Sequence, residues 1–131
     1  HSLDPSERAI ERLREKCDIG DKAKVGYSEK IPFEDDRFDV VVMSEVLEHL
    51  NEEKFDLSVE EVSRVLKKNG TFIATVPFEE DLVSNYAVCP NCGENFHRWG
   101  HQQSFSIQKL KQMLEDRSFL VTTIEARCFP D

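Results

Sequence analysis

The chain has 131 residues, enough for one domain with a single core. Hydrophobic residues at 39% and charged residues at 33% describe an ordinary soluble composition, and no apolar run approaches the roughly 18 residues of a membrane span. The formal charge of -9, from 26 acidic and 17 basic side chains, repels phosphate backbones and disfavours charge-driven binding to nucleic acid.

Asp4-Pro5-Ser6-Glu7 reads as a helix start, with Asp4 as the cap, Pro5 at the first helical position and Glu7 reaching back as in a capping box. Ile10, Leu13 and Cys17 then form its apolar face. Lys24 to Ser28 is predicted as a short strand, and the proline and charges of residues 29 to 37 predict a solvated loop. Phe38 to Ser44 is β-branched and almost continuously apolar, which predicts a central parallel strand covered on both faces.

Val59, Val62, Val65 and Leu66 recur at helical spacing within a helix predicted over Glu53 to Lys68, and Asn69-Gly70 supplies its stop. Thr71 to Val76 is predicted as a strand, Ser106 to Asp116 as a helix with Leu110, Met113 and Leu114 inward, and Phe119 to Ala126 as a last strand. Strands alternating with helices favour a mainly parallel sheet with helices on both faces, within a single domain over residues 1–131. Residues 86–104 stand out as an insertion.

Four stretches carry a family resemblance: Ser2 to Ser6, Ser28 to Phe33, Phe38 to His49, and Arg64 to Gly70. Their order and spacing resemble the class I S-adenosylmethionine-dependent methyltransferases of the type 11/12 kind, which implies a Rossmann-like α/β fold and this methyl donor as cofactor. The resemblance gives Asp4 the place of the acidic residue that accepts the ribose hydroxyls, in charge-assisted hydrogen bonds. It puts Ser28 and Glu29 in the loop that meets the adenine, and Ser44 and Glu45 where the central strand ends at the methyl-transfer pocket. A solvated turn is the plain alternative for Ser28 and Glu29, as helix capping is for Asp4.

The family's first strand ends in a glycine-rich turn, which lets backbone amides approach the donor's amino-acid end. Here the glycines at 20, 26, 70, 93 and 100 are never closer than six residues, so no such turn is present. The expectation is therefore an N-terminally incomplete domain, whose unpaired sheet edge would favour a homodimer.

Glu45-Val46-Leu47-Glu48-His49 resembles the metal-binding stretch of small-RNA 2'-O-methyltransferases and of quinone-biosynthesis O-methyltransferases, which add a later histidine. The resemblance implies that Glu45, Glu48 and His49 hold a divalent ion that polarises an acceptor hydroxyl. The plainer reading is a helix start with acidic residues favoured by the dipole.

The insertion contains Cys89, Cys92, His97 and His101 in the pattern Cys-x2-Cys-x4-His-x3-His. Two thiolates and two imidazoles suit tetrahedral zinc, and Gly93 permits the turn that aims both sulfurs at one point. A reduced thiol pair or a redox Cys-x-x-Cys is the alternative. His101 also lies where the late histidine of the metal-dependent relatives falls, and one imidazole nitrogen serves one ion. Phe96 and Trp99 are expected to form the small core of this loop rather than a stacking pair.

The function expected is methyl transfer to a small-molecule, saccharide or lipid-linked acceptor in the cytoplasm, the Cys-x-x-Cys pair suiting a reducing compartment. Two other readings stand beside it. One is an inactive zinc-stabilised binding module on a methyltransferase scaffold, and the other is metal-assisted RNA 2'-O-methylation.

Overall fold

The computed structural model describes residues 1–127, so Cys128 lies outside the described residues. The chain divides into two compact units, His1–Val41 with Asp56–Phe72, and Val42–Phe55 with Ile73 onwards.

In the first unit, strand β1 (Ser2–Asp4) pairs in parallel with β2 (Ala23–Val25), with Asp4 opposite Val25. Helix α1 (Glu7–Lys16) joins them. Its cap is Ser6, whose hydroxyl accepts from the Ala9 N–H, and not Asp4 as the sequence suggested. Asp4 instead closes β1 and accepts from the Ser6 N–H through Oδ1 at 2.7 Å. Strand β2 is shorter than the predicted Lys24 to Ser28. At Gly26 a Cβ would come within 3.0 Å of Leu3 and 3.4 Å of Pro32, and Tyr27 and Lys30 then bridge across a turn.

Strand β3 occupies Phe38–Ser44 as predicted and pairs with β4 (Leu66–Thr75). In the first unit, Asp36 N–H donates to the Arg64 carbonyl and Arg37 N–H to that of Val65, so the two chains run parallel there. Coverage on both faces is not observed: Val40 is 50% and Val42 64% exposed, while Met43 is buried. With β4 as its one neighbour among the described residues, β3 keeps one edge unpaired there.

Helix α2 (Glu52–Val65) ends three residues before the predicted Lys68. Leu66 to Lys68 have already entered β4, and Asn69 takes its left-handed φ of 64° inside that strand rather than at a helix cap. Gly70 is required there, because a Cβ would lie 2.9 Å from both Leu66 Cδ2 and the Lys67 carbonyl. Ile10, Ala23, Val59, Val62 and Val65 form the core of this unit, each at most 1% exposed. Burying each Val or Ile contributes about 1.5–3 kcal/mol.

At the edge of the first unit, Arg64 donates Nε and Nη2 to the Glu61 carboxylate at 2.6 and 2.8 Å, and Nη1 to Asp35 at 2.5 Å. It also donates to the carbonyls of Ile31 and Phe33, while Glu61 accepts from the Ile31 N–H. One guanidinium thus ties the loop after β2 to α2.

In the second unit, the predicted insertion contains an antiparallel hairpin of β5 (Tyr86–Val88) and β6 (Asn95–His97). Helix α3 (Ile107–Glu115) starts at the cap Ser106, close to prediction. Phe55, Phe105, Leu47, Leu110 and Leu114 form the core, with the Phe55 and Phe105 rings 6.2 Å apart. Phe119 to Ala126 was expected as a strand but forms none. Phe119 N–H instead donates to the Leu114 carbonyl at the end of α3, and Leu120 is 84% exposed. Among the described residues the strands pair as three two-stranded sheets, β1 with β2, β3 with β4 and β5 with β6.

Candidate functional site

The residues expected to meet the donor lie at or beyond the carboxyl ends of parallel strands, where open α/β sheets bind ligands. Asp4 ends β1, and Ser28 and Glu29 follow β2. Ser28 is fixed by Ser58, a fully buried residue of α2 that donates to it at 2.8 Å, and itself donates to Glu29 at 3.3 Å.

In the second unit, Ser44 ends β3, and its hydroxyl shares a 2.8 Å hydrogen bond with Thr75 at the end of β4. Glu45 accepts from the same Thr75 hydroxyl at 2.8 Å and takes a left-handed φ of 53°. That conformation is uncommon for a side chain of this kind and turns the chain sharply as it leaves the strand. Leu47–His49 forms a single 3-10 turn, and α2 begins later, where Asn51 Oδ1 accepts from the Lys54 N–H. The acidic residues of this stretch therefore precede α2, with Glu48 inside the 3-10 turn.

Glu48 is 1% exposed, and among the described residues neither carboxylate oxygen has a hydrogen-bond partner. Its Oε1 lies 3.9 Å from His49 Nε2, beyond hydrogen-bond reach. Burial pushes the Glu48 carboxyl above its ordinary range. One ligand atom each of Glu48, His49 and His101 falls within 4.8 Å of the others, and the His49 and His101 rings meet edge to face at 4.7 Å. Glu45, committed to Thr75, is not in this group.

Backbone hydrogen bonds bring His101 there. The N–H groups of Gln102 and Gln103 both donate to the Glu48 carbonyl, at 2.7 and 3.1 Å. Their side-chain amides donate to the carbonyls of His49 and Leu50. Gly100 beside His49 takes a left-handed φ of 76°, which favours glycine, although a Cβ there would meet His49 Nδ1 only at an ordinary contact distance of 3.7 Å.

A second group, Glu80, His97 and His101, shares the last histidine. The Glu80 carboxylate lies 2.5 Å from His101 Nδ1 and 3.5 Å from His97 Nε2, and accepts from Asn85 at 2.9 Å. Sequence reading missed Glu80, which no motif marks. Cys89 and Cys92 sit on the turn between β5 and β6, where Cys89 N–H donates to Glu94 and Gly93 N–H to Cys89. Hydrogen bonds to the Cys89 sulfur from the backbone of Cys92 and Asn91, and from the Cys92 thiol, hold its thiol below the usual value. Among the described residues, the groups of three or more candidate ligands contain no cysteine. The structure thus places His97 and His101 with Glu80 and does not gather them into one such cluster with the two thiols. Phe96 and Trp99 are 48% and 57% exposed, so they do not form the loop core expected of them; a two-strand ribbon has no interior to hold both rings.

A buried carboxylate with no partner calls for a proton or a cation. A carboxylate and two imidazoles form a donor set that suits a divalent ion such as Mn²⁺ or Zn²⁺. The residues present therefore fit a metal.

Comparison with known proteins bears on the family of the chain. The family model described as a methyltransferase domain matches residues 1–74. One similar solved structure is a complex between the Haloferax volcanii Trm112 methyltransferase activator and a candidate methyltransferase. The match is 25% identical, with a TM-score of 0.65, covering 87% of this chain and 47% of that one. The PH0226 protein of Pyrococcus horikoshii OT3 is 27% identical over 66% of this chain and 44% of its own, with a TM-score of 0.54. A Methanosarcina mazei structure described as SAM-dependent methyltransferases has the same fold, at a TM-score of 0.66 and 20% identity, over 87% of this chain and 66% of its own. No curated protein matches the chain. The chain spans about half the length of the first solved structures it resembles. With a methyltransferase-like α/β fold and a family model matching residues 1–74 of its 131, the chain belongs to the methyltransferase domain family.

Proposed function

We infer that this chain serves S-adenosylmethionine-dependent transfer of a methyl group to a hydroxyl of a small-molecule, saccharide or lipid-linked acceptor, with a divalent ion held by Glu48, His49 and His101. The observation that carries the reading is Glu48: both its oxygens are buried without a hydrogen-bond partner among the described residues, beside two imidazoles. When bound, such an ion polarises an acceptor hydroxyl and lowers its pKa. The remaining work is positioning, since methyl transfer is an in-line displacement.

On the donor side, Asp4 gives one oxygen to the Ser6 N–H and keeps the other for a ribose hydroxyl. Ser28, held by Ser58, and Glu29 take the adenine end, and Ser44 takes part at the end of β3. Glu45, whose Oε1 accepts from Thr75, is outside the group of three and joins the ion only by moving toward it. A charge of -9 supports an acceptor without a phosphate backbone. The free thiols of Cys17, Cys89 and Cys92 are in keeping with a cytoplasmic setting. Zinc is an alternative ion for the same three ligands; the four-ligand set with Cys89 and Cys92 requires His97 and His101 to leave Glu80.

Two calorimetric titrations of the 131-residue chain test the reading. S-adenosylhomocysteine is expected to bind with micromolar affinity, lost in Asp4→Ala. Mn²⁺ is expected to bind once per chain, lost in Glu48→Gln. A folded chain that binds neither overturns the reading and leaves the inactive binding module in its place.

A further inference from the structure

We propose that Glu80 is a positioning residue: it holds His101 in the tautomer with its proton on Nδ1, leaving Nε2 as the nitrogen that faces an ion together with Glu48 and His49. The proposal rests on the metal reading for its consequence and on a separate set of contacts for its geometry.

The hydrogen bonds around the three residues determine where the protons sit. His97 Nδ1 accepts the backbone N–H of His101 at 3.1 Å, so that nitrogen carries a lone pair and the His97 proton is on Nε2. This Nε2 is buried and lies 3.5 Å from Glu80 Oε1, with no hydrogen-bond partner among the described residues. A ring nitrogen that carries a proton is not a metal ligand, which removes His97 from the coordinating set in this arrangement. The same carboxylate receives Asn85 Nδ2 on Oε1 and His101 Nδ1 on Oε2. With Glu80 accepting, the hydrogen bond between its Oε2 and His101 Nδ1 places the proton on that nitrogen. The His101 nitrogen left with a lone pair is Nε2.

The rings reinforce this placement. His97 and His101 stack at a centroid distance of 4.9 Å, and the His97 side chain is 3% exposed. Asn85 in turn is anchored, its carbonyl accepting the Arg98 N–H at 3.0 Å. Glu80 is therefore held from Asn85, in the segment that leads into β5, at 14% side-chain exposure, and meets the candidate ion site at His101. A carboxylate behind a ligating histidine fixes the ring's orientation and raises its basicity, and losing such a partner typically lowers metal affinity by about 10–100-fold.

The test uses the ¹⁵N-labelled 131-residue chain. In the metal-free protein, two-bond ¹H–¹⁵N correlation of the imidazoles is expected to show His101 protonated on Nδ1, a preference lost in Glu80→Gln. Mn²⁺ titration is expected to give one ion per chain in both proteins, with affinity about 10–100-fold weaker in Glu80→Gln and intermediate in Glu80→Asp. His101 protonated on Nε2 in the wild-type chain overturns the proposal, even if the variants fail to fold. So does Mn²⁺ affinity unchanged in Glu80→Gln, or a stoichiometry falling from two ions to one, which would make Glu80 a ligand of its own ion. A wild-type chain with the Nδ1 proton but no bound Mn²⁺ supports the clamp and overturns the metal reading.

Discussion

The backbone N–H of Gln102 donates to the carbonyl of Glu48 at 2.7 Å, so the segment carrying His101 is bonded directly to the turn carrying the buried carboxylate. The Gln102 side chain adds a second link, to the His49 carbonyl at 2.8 Å. Gln102→Ala keeps the backbone bond and removes the side-chain one. The expected loss is about 1 kcal/mol, or roughly fivefold in Mn²⁺ affinity, read by calorimetry. A loss shared equally by thermal stability and metal affinity would mean that the link holds the fold rather than the site.

Glu48 itself sets function against stability. A carboxylate without a hydrogen-bond partner is costly to bury, and burial already pushes its carboxyl upward. Glu48→Gln replaces it with a neutral group of the same shape. In metal-free buffer at neutral pH the variant is expected to melt no lower than the parent, while its Mn²⁺ binding disappears. A variant that melts well below the parent would show Glu48 to be a structural acceptor.

Much of the frame is legible in the sequence because it follows from local rules. Phe38–Ser44 is a strand with the predicted bounds, since seven residues rich in valine have one favoured backbone state. Ser106 caps α3 because a serine before an amphipathic run satisfies its first N–H groups. Asn69-Gly70 misleads because a helix cap and a kink inside a strand both need a left-handed residue; which one occurs depends on Leu66 to Lys68 pairing with β3. The site is less legible. Spacing grouped His97 and His101 with Cys89 and Cys92, but spacing carries no trace of Glu80, which approaches from an irregular segment, nor of the bonds from Gln102 and Gln103 to Glu48.

The pair of Glu61 and Arg64 gives the first unit a pH dependence. The Arg64 hydrogen bonds hold the Glu61 carboxyl below its ordinary value of 4.5. A carboxyl lowered by folding contributes stability above its unfolded pKa, and that contribution disappears as pH falls through the lower, folded value. The midpoint of urea unfolding is thus expected to fall as pH drops below about 4.5, with this step absent in Arg64→Met. At neutral pH the same variant leaves the Ile31 and Phe33 carbonyls and Glu61 without their guanidinium, a loss of roughly 2 kcal/mol or more. An acid limb unchanged in Arg64→Met would assign it to other carboxylates.

Cys89 and Cys92 separate the zinc-knuckle expectation from the ion site argued above. Hydrogen bonds from Cys92 and Asn91 to the Cys89 sulfur favour its thiolate, so at pH 7 Cys89 is expected to react with iodoacetamide faster than Cys92 or Cys17, although those two are more exposed. Once Cys89 and Cys92 are both alkylated, or replaced in the double variant Cys89→Ser, Cys92→Ser, Mn²⁺ stoichiometry and affinity are expected to stay at their parent values, because Glu48, His49 and His101 include neither sulfur. If the parent chain instead carries one equivalent of zinc that protects both thiols from alkylation and is released by the double variant, then His97 and His101 have left Glu80 to join the cysteines. The arrangement seen here would then be the metal-free state of a Cys-x2-Cys-x4-His-x3-His site.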